Sequence, residues 1–306
     1  MIRVNGPLMS LSASGQVGKK LIFSKRKSGQ MIRAFHKPNK ERTPAQIIRR
    51  KIISLINIRW SVLTDEQKAV YNNFVIESEE KITGYNLFVR LACADLQTYL
   101  GIYGLWLFEE KSGSVAVDSS GLGNNGVYTN TTFVKNKKGQ AVRCFVDAAK
   151  VGIDDFADID SGSFSYIVEV KRSSGGNPYN VIFKKLHAVG GLNGFSLNFN
   201  LANINLVFYN NGTNNCNLSS SVPYDVFKRI GFSFDKVNSV AKLYVNGKLV
   251  GTDTSAFAAS YPINLGIGGA YGSVSQTLHG ENNFSIAYNR VLSPEEFLAF
   301  EKSVIV

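Results

Sequence analysis

The sequence is poor in the residues that build metal sites, disulfide frameworks and membrane spans. It has three cysteines and three histidines among 306 residues. The cysteines (Cys93, Cys144 and Cys216) are scattered without a CxxC spacing, which argues against a disulfide framework and against a zinc site. Its apolar runs are a few residues long, whereas a helix needs about 20 to span a bilayer. No apolar segment follows Arg3, so we expect neither a signal peptide nor membrane insertion.

Acidic residues are almost missing from the first 60 positions, where Glu41 stands against 14 lysines and arginines. Residues 1–100 carry a net charge of +10, and the remaining 206 carry +1. Glycine shows the same division, because only five of 28 glycines precede residue 101. We therefore predict two domains, a basic attachment domain over 1–100 and a neutral domain over 101–306, joined near 98–104.

The positive charge predicts that the N-terminal domain meets a polyanion or an acidic protein surface. The same charge also fits a domain in which lysine and arginine only provide solubility. Charge alone does not distinguish a nucleic-acid partner from a protein partner. The basic residues nominated for this contact are Lys25, Arg26, Lys27, Arg42, Arg49 and Arg50.

Local patterns in the N-terminal domain indicate a small α+β fold, a β-hairpin followed by about three helices. The hairpin is predicted from two β-favouring runs that flank a basic turn containing Gly29. Thr43 before Pro44 is a signal for a helix start. A capping box from Thr64 to Gln67 opens a second helix, and a third is predicted to begin at residue 83.

The first helix has an apolar face that we expect to be buried. Its members recur at helical spacing and are Ile48, Ile52, Leu55, Ile56 and Trp60. The basic residues of the same segment lie largely off this face, so we expect them to stay solvated. They are Arg49, Arg50, Lys51 and Arg59.

Two resemblances cover this domain. Trp60, the segment 63–71 and Gly84-Tyr-Asn-Leu-Phe-Val89 resemble the second half of an HMG-box, a three-helix minor-groove binder. A wider stretch, 10–90, resembles a family of small phage-encoded proteins. Its motifs are Ser12-Ala-Ser-Gly-Gln-Val-Gly18, a basic hairpin, Arg42-Thr-Pro-Ala-Gln46, a helix that ends in Trp, and a final Gly-Tyr-Asn-Leu-Phe segment. The phage resemblance is preferred because it covers more of the domain.

The second domain shows short strands of alternating hydrophobicity separated by Gly and Asn. The segments Phe164–Val170, Phe195–Phe199, Ile204–Phe208 and Ile230–Phe234 all have period two. Asn246-Gly247 between two β-favouring runs is the strongest hairpin signal in the chain. Many short strands at turn-bounded intervals predict an all-β sandwich or jelly roll.

Five segments in order resemble the laminin G-like, concanavalin A-like jelly-roll family over roughly 104–302. They are Leu105–Glu109, Val117–Gly126, Gln140–Asp147, Leu243–Gly251 and Tyr288–Ser293. Members commonly bind carbohydrate or protein, often beside a calcium ion. The resemblance matches Asp118, Asn124 and Asn125 to the loop where calcium sits. Many relatives carry carboxylates where this chain has Asn282 and Asn283, so the favoured interpretation is that the loop residues form a turn, with no cofactor.

Catalysis is not expected. Glycosidases on this fold use clustered carboxylates on one strand, whereas the strand from Phe164 offers Glu169 alone. The adjacent pairs Glu109-Glu110 and Asp154-Asp155 would point to opposite faces of a strand. The sequence also contains no GxSxG motif, phosphate-binding loop or dinucleotide fingerprint.

The Asn-rich segment 177–217 suits hydrogen bonding to sugar hydroxyls, and it equally suits plain turns. Three tyrosines, Tyr179, Tyr209 and Tyr271, are candidates for stacking on a sugar ring.

Together these features predict a phage virion structural protein. It would dock on capsid, portal or tail proteins in multiple copies and display a lectin-like domain towards a host-surface glycan or protein. Weak, non-specific contact with nucleic acid is expected from its charge. The alternatives are an architectural DNA-binding protein with a β-sandwich interaction domain, and a non-viral carbohydrate-binding module.

Overall fold

The structure is a computed structural model that divides the chain into two compact units, 1–43 and 44–306. The residues described below are 15–17, 21–26, 29–34, 42–136, 139–154, 156, 161–174, 179–187, 193–210, 213–254, 264–270 and 276–302. Within this part of the chain, no helix is long and apolar enough to cross a membrane.

The first unit contains a three-stranded antiparallel sheet of β1 (Gly15–Val17), β2 (Leu21–Arg26) and β3 (Gly29–Ala34). Strands β2 and β3 pair from Leu21 opposite Ala34 to Arg26 opposite Gly29. This pairing confirms the predicted hairpin, with the basic residues at its closed end.

The second unit begins with the predicted helices, α1 (Pro44–Val62), α2 (Asp65–Glu77) and α3 (Gly84–Ala94). The capping box is present, because the Thr64 hydroxyl accepts from the Gln67 amide at 3.3 Å and the Gln67 side chain accepts from the Thr64 amide at 3.1 Å. A short helix not predicted separately, α4 (Leu96–Leu100), follows and ends at Gly101. Gly101 has φ +74, a conformation that glycine adopts without strain.

The remaining strands form two eight-stranded antiparallel sheets, which confirms the predicted sandwich. Sheet one runs β17-β16-β15-β10-β19-β8-β7 with β4 paired to β19, and sheet two runs β14-β13-β12-β11-β18-β9-β6-β5. The strands are β4 (Ile102–Trp106), β5 (Val115–Ala116), β6 (Gly126–Thr129), β7 (Thr132–Asn136), β8 (Gly139–Cys144), β9 (Lys150–Ile153), β10 (Phe164–Arg172), β11 (Tyr179–His187), β12 (Asn193–Asn200), β13 (Asn203–Asn210), β14 (Thr213–Ser221), β15 (Lys228–Asp235), β16 (Val240–Val245), β17 (Lys248–Thr254), β18 (Leu265–Ile267) and β19 (Gly280–Tyr288). A last helix, α5 (Pro294–Lys302), follows β19.

Two hydrophobic cores hold the second unit together. The first lies between the sheets and is rich in aromatic rings, among them Phe164, Phe195 and Phe232, whose centroids are 5.2–6.0 Å apart. The second lies between the helices and the outer face of sheet one. It combines Leu55 and Phe88 of the helices with sandwich residues such as Phe284. The sandwich is therefore covered by helices on one side.

The structure departs from the predicted division at 98–104. Leu100 at the end of α4 and Ile102 and Leu105 in β4 belong to the same helix-to-sheet core, so that position lies inside a shared core. By its contacts the chain divides at residue 43, and the helices belong with the sandwich. The physical reason is that sheet one is apolar on both faces. Its inner face packs against sheet two, and the helices bury its outer face.

The expectation that Lys51 stays solvated is wrong. Its side chain is 2% exposed, and its Nζ lies 2.6 Å from Glu109 Oε1 in the segment after β4. Arg59 is partly buried and bonds Glu296 of α5 at 3.1 Å. Arg49 and Arg50 are exposed as predicted. Position 51 precedes buried Leu55 by one helical turn, so it falls at the edge of the covered face and needs a counter-charge there.

Candidate functional site

The outer face of sheet two carries a regular array of polar side chains. Alternate residues of β12 and β13, such as Leu197 and Leu206, point into the core, so the residues between them face outwards. Cross-strand pairing aligns the outward residues in three rows: Ser196–Val207–Asn217, Asn198–Asn205–Ser219 and Asn200–Asn203–Ser221. Eight of these nine positions are Asn or Ser. We call these nine residues the Asn/Ser face.

The Asn/Ser face grades from a buried interior to an exposed margin. Ser196 and Asn198 are fully buried, whereas Asn200, Asn203 and the three β14 members of the face are exposed. The Asn198 amide donates to the Ser196 hydroxyl at 3.1 Å. Its carbonyl oxygen is buried, and among the described residues it has no hydrogen-bond partner. A buried amide oxygen of this kind favours a donor group, so the face has unused hydrogen-bonding capacity.

Two of the three nominated tyrosines lie in strands of the same sheet. Tyr179 lies opposite Asn200, and Tyr209 lies opposite Gly194 near the other end of β12. Burial is the largest cause that raises the pKa of Tyr209 to about 12. The Tyr209 phenol therefore stays protonated at neutral pH and can donate a hydrogen bond. Tyr271 lies outside the described residues.

One cation adjoins the polar array. Lys184 lies opposite Ser196 in the β11–β12 ladder and donates to the Gln276 side chain. Burial lowers the pKa of Lys184. The Gln276 amide fixes the ammonium at the Ser196 end of the face, four residues along β12 from exposed Asn200.

The loop matched to a calcium site forms a hydrogen-bonded turn. The Asp118 carboxylate accepts from the amides of Leu105, Ser120 and Asn124 at 2.9–3.0 Å and from the Ser120 hydroxyl at 2.7 Å. Asn125 accepts from the Asp118 amide, and the Asn124 side chain donates to the Tyr103 carbonyl at 2.8 Å. The three nominated residues do come together. Their oxygens are largely committed to the protein, as the turn interpretation expects.

The carboxylate of the strand from Phe164 serves structural contacts. Glu169, the residue considered for catalysis, accepts from Arg229 at 3.0 Å and from Asn283 at 2.6 Å and is buried. Within the described ranges, no group of three or more His, Cys, Asp or Glu residues is arranged to hold a metal ion.

The basic residues nominated for attachment are divided between the two units. Lys25 and Arg26 end β2 opposite Gln30 and Gly29, and Lys27 lies outside the described residues. Arg42 of the first unit is exposed, as are Arg49 and Arg50 on α1 of the second unit.

Sequence reasoning missed one surface feature, at the end of the sandwich. The guanidinium of Arg172 is buried beneath the ring of Tyr224, 4.5 Å from its centroid. The sequence carries little signal for it, because Arg172 ends β10 and Tyr224 lies in the connection between β14 and β15, and only the fold brings them together.

Comparison with known proteins supports the fold. A family model described as the concanavalin A-like lectin/glucanases superfamily, Laminin_G_3, matches residues 148–297. The C-terminal region therefore contains a laminin G-like, concanavalin A-like jelly roll, as predicted. A comparison with curated protein sequences gives no match.

Solved structures share this fold at low identity. Trypanosoma rangeli sialidase in complex with sialic acid has a TM-score of 0.53 and 13% identity over 66% of this chain and 32% of the sialidase. The botulinum neurotoxin serotype D binding domain has a TM-score of 0.52 and 15% identity over 66% of this chain and 51% of that chain. The binding domain of botulinum neurotoxin DC, in complex with rat synaptotagmin II, has a TM-score of 0.52 and 12% identity over 67% and 52%. This chain thus spans about a third of the sialidase and half of each toxin chain. Similarity at this level shows the fold alone.

Proposed function

We propose that this protein is a phage virion structural protein that docks on the particle through its basic N-terminal region and displays the jelly roll for binding a host-surface glycan or protein. The docking half is carried by one observation, the separation of charge between the two units. Residues 1–43 carry ten basic residues against Glu41, a net charge of +9, which leaves +2 for 44–306. The resemblance of 10–90 to small phage proteins supports the same assignment.

The display half rests on the Asn/Ser face. Its exposed amides and hydroxyls provide donors and acceptors without a strong local charge, and two tyrosines adjoin them. Such groups suit sugar hydroxyls. Two proteins that share this fold over part of their length are described in complex with sialic acid and with rat synaptotagmin II, which supports a glycan or protein partner. We propose binding without catalysis, because Glu169, the single carboxylate of the strand from Phe164, is held by Arg229 and Asn283.

The first test is the composition of particles. Particles purified from cells that produce this protein should contain it at a fixed copy number, measured by quantitative mass spectrometry. Its absence from purified particles, with the protein abundant in the lysate, would refute the virion assignment and leave the non-viral binding module.

The second test is charge reversal of the hairpin end. Replacing Lys25, Arg26 and Lys27 by Glu should release the protein from particles, since docking would lose its electrostatic complementarity. The matched control replaces three exposed lysines of the second unit by Glu, and it should leave occupancy unchanged. These control positions are Lys111, Lys248 and Lys302. Equal occupancy of both triple variants would show that the hairpin charge only aids solubility.

The architectural DNA-binding alternative follows from the same +9 charge, so it needs its own measurement. Affinity of the full chain for duplex DNA should be weak and vanish near physiological salt. A dedicated DNA binder would instead show a steep log-linear salt dependence, with a slope of about −0.9 per phosphate contacted. Binding tighter than about micromolar at physiological salt would replace virion docking by the DNA-binding function.

A further inference from the structure

A cleft opens where the helices meet sheet one. Its walls come from the last turn of α1, from α4 and from the residues that follow β19. Its volume of about 410 Å³ lies within the range of small-ligand sites. Among the described residues that line it, two are cations and none is an anion. The lining side chains with a polar end are Arg59, Gln97, Thr98, Tyr99, Asn289 and Arg290.

One buried carboxylate, that of Glu296, holds both arginines of the cleft. Its Oε1 accepts from Arg59 Nη1 at 3.1 Å and from Arg290 Nη2 at 2.7 Å. Its Oε2 accepts from Arg290 Nη1 at 2.8 Å and from the Ser293 amide at 3.0 Å. A carboxylate has about four acceptor positions, so those of Glu296 are all occupied. Two guanidiniums thus share one negative charge, and this cluster keeps one positive charge in excess.

The spare hydrogen-bonding capacity of the cluster belongs to Arg59. Arg290 is committed to the fold, because its Nε donates to the Leu100 carbonyl at 2.8 Å and its side chain lies against Gly101, where a Cβ would be 2.8 Å from Arg290 Cδ. Within the described ranges, the one hydrogen bond of the Arg59 guanidinium is that to Glu296, and its Nε is buried without an acceptor. The Arg59 side chain is 26% exposed in the wall of the cleft. Most of its N–H donors therefore remain unused beside solvent.

Neutral amides complete the wall around Arg59. Asn289 is exposed and Gln97 is partly exposed, and neither side chain bonds another described residue. The carboxylate of Asp95 does not line the cleft, and it accepts from the Thr98 amide at 2.9 Å as the cap of α4. The cleft thus presents a partly exposed cation with amide donors near it, an arrangement that suits an anion.

We propose that this cleft binds a carboxylate group, with Arg59 as its charged partner. A carboxylate brings one negative charge, which the excess charge of Arg59 and Arg290 over Glu296 neutralises. A phosphate dianion would add a further negative charge close to buried Glu296, so like-charge repulsion disfavours it. The planar guanidinium also matches the two oxygens of a carboxylate. No residue of the cleft belongs to the Asn/Ser face or to the basic residues nominated for docking, so the site is additional to both.

Two sources supply this group, a free organic acid and the acidic side chain of a peptide, and the choice of ligands separates them. The full chain is titrated with acetate, N-acetylglutamate amide, the neutral N-acetylglutamine amide and inorganic phosphate, followed by saturation-transfer NMR or, for phosphate, by competition. A carboxylate should bind with a dissociation constant of about 1 mM, and the neutral analogue about tenfold more weakly or less. Binding of acetate as tight as that of N-acetylglutamate amide supports a free acid, and tighter binding of the capped amino acid supports an acidic peptide.

Two variants test the site itself. Arg59→Gln should weaken carboxylate binding about tenfold or more, because it removes the charged donor. Asn289→Asp places a negative charge in the cleft on an exposed side chain, removes no buried contact, and should also weaken binding about tenfold. The matched control is Asn73→Asp on α2, an exposed position outside the cleft lining, which should stay within about twofold.

Four results would overturn the proposal. Unchanged binding in folded Arg59→Gln, or in Asn289→Asp should Arg59→Gln not fold, would show that the carboxylate binds elsewhere. Equal binding of the neutral analogue would remove the role of charge. Tighter binding of phosphate than of either carboxylate would overturn the ligand class. If the wild type binds no carboxylate, the site itself is refuted.

Discussion

The buried ion pair between Lys51 and Glu109 should be one of the strongest single connections between the helices and the sandwich. Both side chains are at most 2% exposed, and the charged atoms lie 2.6 Å apart. Removing one partner leaves a charge buried without compensation, which costs about 3–5 kcal/mol. Lys51→Met should therefore lower the free energy of unfolding of the second unit by that amount, and Glu109→Leu should do the same.

The double variant separates the charge from the packing. Lys51→Met combined with Glu109→Leu removes both buried charges, and such replacements are often neutral or stabilising. We expect most of the stability lost in each single variant to return. The assay is urea unfolding followed by far-ultraviolet circular dichroism, with the midpoint and slope fitted together.

The matched comparison is the exposed pair of Arg90 with Glu80, which is bidentate at 2.9–3.0 Å but open to solvent. Arg90→Met should cost far less than Lys51→Met, because water screens and solvates exposed charges. Equal losses in the two variants would refute the reasoning, since burial would then not govern the strength of the pair. Additive losses in the double variant would refute it as well.

Three further outcomes follow from the same structure. A fragment that starts at residue 104 should aggregate, or melt well below a fragment that starts at residue 44, because removing the helices exposes the apolar outer face of sheet one. Equal melting temperatures of the two fragments in calorimetry would contradict the shared core. Burial alone would raise the pKa of Glu296, but hydrogen bonds and charge from Arg290 hold it below its ordinary value of 4.5. The stability that Glu296 contributes is thus present above that value and is lost as pH falls through the lower folded pKa. Glu296→Gln should therefore reduce the loss of folding stability at acid pH. An unchanged dependence of stability on pH would show that this carboxylate is not responsible. Cys93 is exposed and should react with a thiol reagent in the native state, whereas burial raises the pKa of Cys144 and Cys216 to about 12 and should protect them; labelling of all three thiols before unfolding would argue against the buried positions.

Local structure was largely readable from the sequence. The Thr64–Gln67 box and the start of α1 at Pro44 depend on neighbours three or four positions apart, and the structure has them where the pattern indicated. The period-two runs became the central strands of the sandwich for the same reason, because alternation places one set of side chains in the core.

The candidate site was only partly accessible. The Asn-rich composition indicated the segment that forms the Asn/Ser face, but the register that aligns Asn198 with Asn205 and Ser219 is a property of paired strands. The contact of Tyr224 with Arg172 joins positions that lie 52 apart in the chain, so only the fold brings these two side chains together.

The sequence by itself determined the elements, the sandwich class and the concentration of positive charge before residue 60, since each depends on composition or on short-range periodicity. Only the tertiary structure decided where the chain divides and which charges are buried. Lys51 reads as a solvated lysine on its own helix, and it is buried because Glu109 from the sandwich meets it there. A charge enters a protein interior only beside its counter-charge, and long-range packing alone brings the two together.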